Sequence, residues 1–253
     1  MRPRRLDARG AVAALLAGLA SLAGCEPPAP ERARAVSEVE AARAEGRVWP
    51  EEAVMAVGDE PISAADLEEW VDTFALVEPS HSRPDHLRKA LTNRVLHTRV
   101  ARQIDPRGYA RARELAERAL AELRAGRGVS AEGPQVQDVS GCWNDKEQDI
   151  GLDRWGRARE WNEGEWHLLE TLGGWSVVRV LDKPEEDAWL PNSSVQLQHV
   201  TFYYLEPATM KREIEDALTR MPIRVLDEQW RDVLPVWYRH LLVDEPGSTE
   251  RTP

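Results

Sequence analysis

Apolar positions recur along this chain at two different spacings, and the change from one to the other divides it. Val54-Met55-Ala56-Val57 reads as a short strand, closed by the turn-forming Gly58-Asp59-Glu60-Pro61. Ser63 with Asp66 predicts a helix N-cap, and Ile62 and Leu67 occupy the two positions of a hydrophobic staple. Leu67, Trp70, Val71, Phe74 and Val77 then follow at helical spacing. Pro79 to Pro84 breaks that helix, and Ser82 with Asp85 predicts a second cap. Leu87, Leu91 and Val95 form one row of the next helix, with Leu96, Val100 and Ile104 beside it. A third helix, 108–125, turns Tyr109, Ala112, Leu115, Ala116, Ala119 and Leu123 inward and stops at Gly126.

Beyond Gly126 the helical period gives way to glycine, tryptophan and alternating apolar residues. Strands are predicted at Val136–Val139, Gly151–Trp155, Gly174–Leu181 and Val195–Tyr204. Ser176 is out of place here, because it shares a strand face with Val178 and Val180. Further on, Leu226, Trp230, Val233, Leu234, Trp237 and Leu241 predict an amphipathic C-terminal helix kinked at Pro235, with Trp70, Trp230 and Trp237 in the core. The fold class is α+β: a helical module over 51–126, a β-rich region over 127–206, a C-terminal helical segment over 207–245 and a disordered tail over 246–253.

The N-terminus has a different character. Arg2, Arg4, Arg5 and Arg9 precede an apolar run from Ala11 to Leu22, too short for a permanent bilayer span but right for the core of a signal peptide over 1–24. The run ends in Leu22-Ala23-Gly24-Cys25, which resembles the lipobox of bacterial lipoproteins. That resemblance implies a mature chain that begins at a lipid-carrying Cys25, anchored at the periplasmic or extracytoplasmic face of a bacterial membrane. Residues 25–50 are rich in proline, alanine and charge, and read as a disordered tether.

Removing residues 1–24 takes away four arginines and one aspartate, leaving 29 basic against 43 acidic residues. An acidic surface argues against nucleic acid as a partner. With Cys25 carrying lipid, Cys142 has no intramolecular partner and reads as a small buried hydrophobe. Asp145, Glu147 and Asp149 lack the glycine-punctuated loop of a cation site and read as a solvated turn; no metal or cofactor is expected. Trp143, Trp155, Trp161, Trp166 and Trp189 fall in loops or among polar residues. Trp143, Trp155, Trp161 and Trp175 are the candidate peptide-binding residues, since tryptophan joins a large apolar face to a polar N–H.

The stretch VMAVGDEPISAADL resembles the opening of the SurA/PrsA-type chaperone module, and LRKALTNRVLHTRVARQI resembles that module's second helix. The likeness covers about fifty residues. Such modules accompany parvulin-type (PpiC-type) peptidyl-prolyl isomerase domains. RARELAERALAELRAG, GLDRWGRAREW and GGWSVVRVLDK resemble, in turn, a helix, a Gly-Trp segment and the last strand of a parvulin. The family likeness also implies a C-terminal helix packed back on the N-terminal module.

The departures bear on activity. Parvulins place histidines in their first and last strands at the floor of an apolar proline pocket. Ser176 stands where the second histidine belongs, and residues 156–171 contain neither phenylalanine nor methionine to wall a pocket. His199, in LQHVTF, resembles the first-strand histidine but follows the last strand in chain order, and is the one candidate catalytic residue. The resemblance implies a folding factor, a chaperone or holdase whose partners are unfolded or nascent exported proteins. An active isomerase using His199 and a structural subunit of an envelope complex are the alternatives. A site would require His199 and Ser176 on adjacent strands facing a common cavity.

Overall fold

The computed structural model describes residues 48–129, 133–144 and 150–243, all within one unit, Arg47–Pro253. The signal segment, Cys25, most of the tether, the acidic turn at 145–149 and the tail 246–253 lie outside the described residues. Among those that are described, no helix is long and apolar enough to cross a membrane.

The fold is α+β, with two small antiparallel sheets. Strands β1 (Ala53–Val57) and β2 (Glu60–Ser63) form a hairpin that turns at Gly58, where φ is +53°. Helix α1 (Ala64–Val77) starts from a complete capping box: Asp66 N–H donates to the Ser63 hydroxyl at 3.1 Å, and Ser63 N–H donates to Asp66 Oδ2 at 2.8 Å. Ser82 and Asp85 repeat the device ahead of α2 (Arg83–Ala90). That helix passes through one π turn, Leu91–Val95, into α3 (Leu96–Ile104).

A three-residue strand, Ile223–Val225, returns to β1, so that Met55 faces Val225. Met55, Ile62, Leu67, Leu91, Leu96, Ile214, Ile223 and Leu234 fill the core between these elements. The C-terminal segment departs from the predicted kinked helix. It consists of two 3-10 segments, Glu228–Val233 and Val236–Leu241, separated by Leu234 and Pro235. Proline has no N–H to continue a helix, and the tighter winding swings Trp237 out of the apolar row. Trp230, Leu234 and Leu241 pack inward as predicted, whereas Trp237 is 65% exposed.

The second sheet contains β3 (Gln137–Gly141), β4 (Trp166–Thr171), β5 (Gly174–Asp182) and β6 (Val195–Tyr203) in the spatial order β3-β6-β5-β4. Helix α4 (Pro106–Arg124) covers one face. Its row of Ala112, Ala116 and Ala119 is small enough for Trp166, Trp175, Val177, Val200 and Phe202 to pack against it. The helix that the sequence groups with the N-terminal module thus roofs the sheet.

Helix α5 (Gly151–Ala158) covers the other face, with Leu152, Trp155 and Ala158 against Val178, Val180 and Leu197. The predicted strand at 151–155 is therefore a helix, and the i, i+3 spacing of these residues is its reason. Gly156 lets α5 approach α1: a Cβ there would lie 2.9 Å from Thr73 Cγ2. Helix α6 (Met210–Leu218) completes the first core through Ile214 and Leu218.

Candidate functional site

The β5–β6 register brings together the residues that the sequence singled out. Ser176 faces Thr201, and Val178 faces His199. Side chains alternate along a strand, so Ser176, His199 and Thr201 share the face under α5. The Ser176 and Thr201 hydroxyls lie 2.7 Å apart. Arg154 reaches down from α5, donating from Nη2 to Thr201 Oγ1 at 2.9 Å and to Ser176 Oγ at 3.3 Å, and from Nη1 to the Ile150 carbonyl at 3.4 Å. Thr201 Oγ1 also lies 3.5 Å from His199 Nδ1. The small hydroxyl on the apolar face is explained: it is half of a buried pair that receives a guanidinium.

The two strands are adjacent, but the face the two residues share is closed off from solvent. Ser176 is fully buried, His199 nearly so, and neither lines any of the three clefts described below. Trp155 and Trp189 fill the space beside the network, with ring centroids 5.3 Å apart, and Trp155 Nε1 donates to the Ser193 carbonyl at 2.8 Å. Burial first, and the neighbouring Arg154 charge second, push the His199 pKa down to about 4, so the ring is neutral at ordinary pH. Its Nε2 meets no polar partner among the described residues.

The candidate peptide-binding tryptophans part company. Trp155 and Trp175 are core residues and present no ring to a partner. Trp143 is half-buried and tied down by its Nε1 donating to the Pro191 carbonyl at 2.9 Å. Trp161 is the exception. It too is half-buried, stacking on His167 with centroids 4.6 Å apart and planes 3° off parallel, but it lines an open cleft. Cys142 is half-buried rather than buried, with Sγ 2.7 Å from Asn144 Oδ1.

That cleft, of about 320 Å³, separates the helical layer from the sheet. Helix α1 contributes Asp66, Glu69 and Trp70; α3 contributes Thr98, Arg99 and Arg102; β4 contributes Leu168, Leu169 and Glu170. Ion pairs bridge it. Arg102 Nε donates to Glu170 Oε1 at 2.6 Å and Nη1 to Glu60 Oε2 at 3.3 Å, while Arg157 pairs with Glu69. Nearby, Arg94 pairs with Asp153 and lies 5.2 Å above the Trp70 ring. Burial opposes the Arg102 charge, but the Glu170 carboxylate outweighs it and raises the guanidinium pKa. Burial would likewise raise Asp66, yet the hydrogen bond from Ser63 and the charge of Arg99, 2.6 Å away, hold it below the usual range. The lining thus sets apolar surface among charges that already have partners.

Sequence reasoning did not pick out this cleft, because β4 is absent from the predicted strands. Two further clefts flank Trp237 and Asn93. Among the described residues no group of three or more His, Cys, Asp or Glu is placed to hold a metal ion. Compared with known proteins, the chain matches no family model, no curated protein and no solved structure.

Proposed function

We propose that this chain is a membrane-tethered extracytoplasmic folding factor that holds unfolded or extended exported polypeptides, built on a SurA/PrsA-like module and a reduced parvulin-like sheet. The observation that carries the reading is the open cleft between the two layers, with Trp70 and Trp161 on its walls and paired charges around them. A mostly polar cleft whose charges are already paired, with a smaller apolar share from residues such as Trp70, Trp161 and Leu168, suits weak, sequence-tolerant capture of extended chain. The return of Ile223–Val225 to β1 and the packing of the C-terminal 3-10 segments on the first core support the module reading.

Binding is favoured over isomerisation because His199 and Ser176 lie beneath α5, where an X-Pro bond has no access. The residues that line the cleft include no histidine.

The test is suppression of aggregation of a chemically denatured client by stoichiometric amounts of the full chain, alongside a protease-coupled prolyl isomerisation assay. Suppression without rate acceleration is the expected result. Acceleration that disappears in His199→Ala overturns the binding reading. Absence of both, with a stable partner co-purifying, favours the structural-subunit alternative. Anchoring through Cys25 is checked by fatty-acid labelling of the chain and its loss in Cys25→Ser.

A further inference from the structure

The cleft lies along a free sheet edge. In the order β3-β6-β5-β4, strand β4 pairs only with β5 among the described residues. Antiparallel ladders alternate residues whose N–H and C=O face the neighbouring strand with residues whose groups face away. One hydrogen bond fixes the alternation. Gly164 N–H donates to the Val180 carbonyl at 2.8 Å, so Val180, and with it Val178 and Ser176, face the β4 side. Their partners His167 and Leu169 therefore face inward, and Trp166, Leu168 and Glu170 face outward.

The Trp166 carbonyl confirms the direction, since it accepts from Arg124 Nη2 at 2.8 Å and Nε at 3.2 Å. That guanidinium caps one end of the edge. Among the described residues nothing donates to or accepts from the outward backbone groups of Leu168 and Glu170, and both residues line the cleft.

From this geometry we infer that the β4 edge at Leu168 and Glu170 is the recognition element of the cleft, and that it takes an uncharged, extended polypeptide segment as an added strand. The inference rests on the folding-factor reading and specifies how the client is held. Charge selects the occupant. Arg99, Arg102 and Arg157 are each matched by Asp66, Glu170 or Glu69, so the cleft is neutral and has no free cation for an anionic ligand. What it offers unpaired is main-chain hydrogen bonding at strand spacing, which another main chain complements and which carries no demand for a particular side chain. The Arg102–Glu170 pair and the Arg124 cap limit the open edge to two outward residues, enough for transient holding and too short to template stacking.

The probe is a blocked hexapeptide alternating valine and threonine, added to the full chain and followed by hydrogen exchange of single amides. Exchange at Leu168 and Glu170 is expected to slow by about tenfold or more at saturation, with Leu169, already bonded to β5, unchanged. Leu168→Pro removes one outward N–H without removing a β4–β5 bond, and is expected to weaken peptide binding about tenfold.

Peptide binding without protection of these two amides overturns the inference, and so does no binding. Protection that grows with protein concentration in the absence of peptide also overturns it, since the occupant is then a second copy. Aggregation suppression that survives Leu168→Pro undiminished removes the edge as binding element and leaves the folding-factor reading standing. A wild-type chain that protects both amides with peptide yet suppresses no aggregation keeps the edge site and sinks that reading.

Discussion

Ser176 on β5 and Thr201 on β6 stand opposite each other with hydroxyls 2.7 Å apart, and one nitrogen of Arg154 donates to both. Ser176→Ala leaves Thr201 with its Arg154 bond and is expected to cost about 1–2 kcal/mol in urea unfolding. Ser176→His places a ring where the serine is fully buried, and is expected to cost about 1–3 kcal/mol or more through overpacking. It is expected to confer no isomerase activity; a gain of activity would show that substrate reaches this face.

The chain should lose stability in mild acid. The His199 pKa lies near 4 in the folded state, against an ordinary value of 6.5. Above pH 6.5 neither state is protonated there, and the stability is fully present. Between pH 6.5 and 4 the unfolded chain takes up a proton that the folded chain refuses, which removes up to about 1.4 kcal/mol per pH unit and about 3 kcal/mol in all. His97, lowered first by burial, acts in the same direction. Urea midpoints across this range should fall steeply in the wild type and more shallowly in His199→Gln.

Arg154→Met separates the two causes of that shift. Burial remains and the positive neighbour disappears, so the His199 pKa should rise part of the way toward 6.5 in an NMR titration. An unchanged pKa would show that Arg154 does not act on the ring.

Trp155, which the sequence sets among polar residues, and Trp237, which it sets on an apolar helix face, should each behave opposite to that expectation. Trp155→Ala is expected to cost about 3–5 kcal/mol, because a fully buried ring and its bond to Ser193 are removed. Trp237→Ala is expected to change stability by no more than about 0.5 kcal/mol, and its indole should be the more accessible to iodide quenching. A large cost at Trp237 would restore the buried C-terminal helix.

The ion pairs across the cleft hold the layers at their spacing. Arg102→Gln breaks the bonds to Glu170 and Glu60 while keeping much of the side-chain stem, with an expected loss of about 1–3 kcal/mol. Exchange at the Leu168 and Glu170 amides should also change, because Glu170 is released.

The helical start of the chain was readable because its signals are local. Ser63 with Asp66, and Ser82 with Asp85, declare helix origins within four residues, and both capping boxes form. The fate of Ser176 was half readable. Its face and its oddity follow from period two, but its partners come from β6 and α5, and only packing brings them within reach. β4 escaped because Trp166, Leu168 and Leu169 are packed from both faces and do not alternate with polar residues. α5 escaped because eight residues around a glycine give helical period little room to show. The C-terminal row was right about which side faces the core for Trp230, Leu234 and Leu241. It was wrong for Trp237, because Pro235 and 3-10 winding change the angle per residue.

The pairing of β1 with Ile223–Val225 also governs when the fold can complete itself. The partner of Met55 is Val225, so the first sheet joins the earliest described strand to the last. A chain delivered N-terminus first must wait for its far end before that sheet closes, whereas the β4–β5 hairpin and its β6 neighbour are contiguous and can form while the rest is still arriving. Slow closure of a large loop should therefore limit refolding, with the four-stranded sheet protected early and β1 exposed until the end.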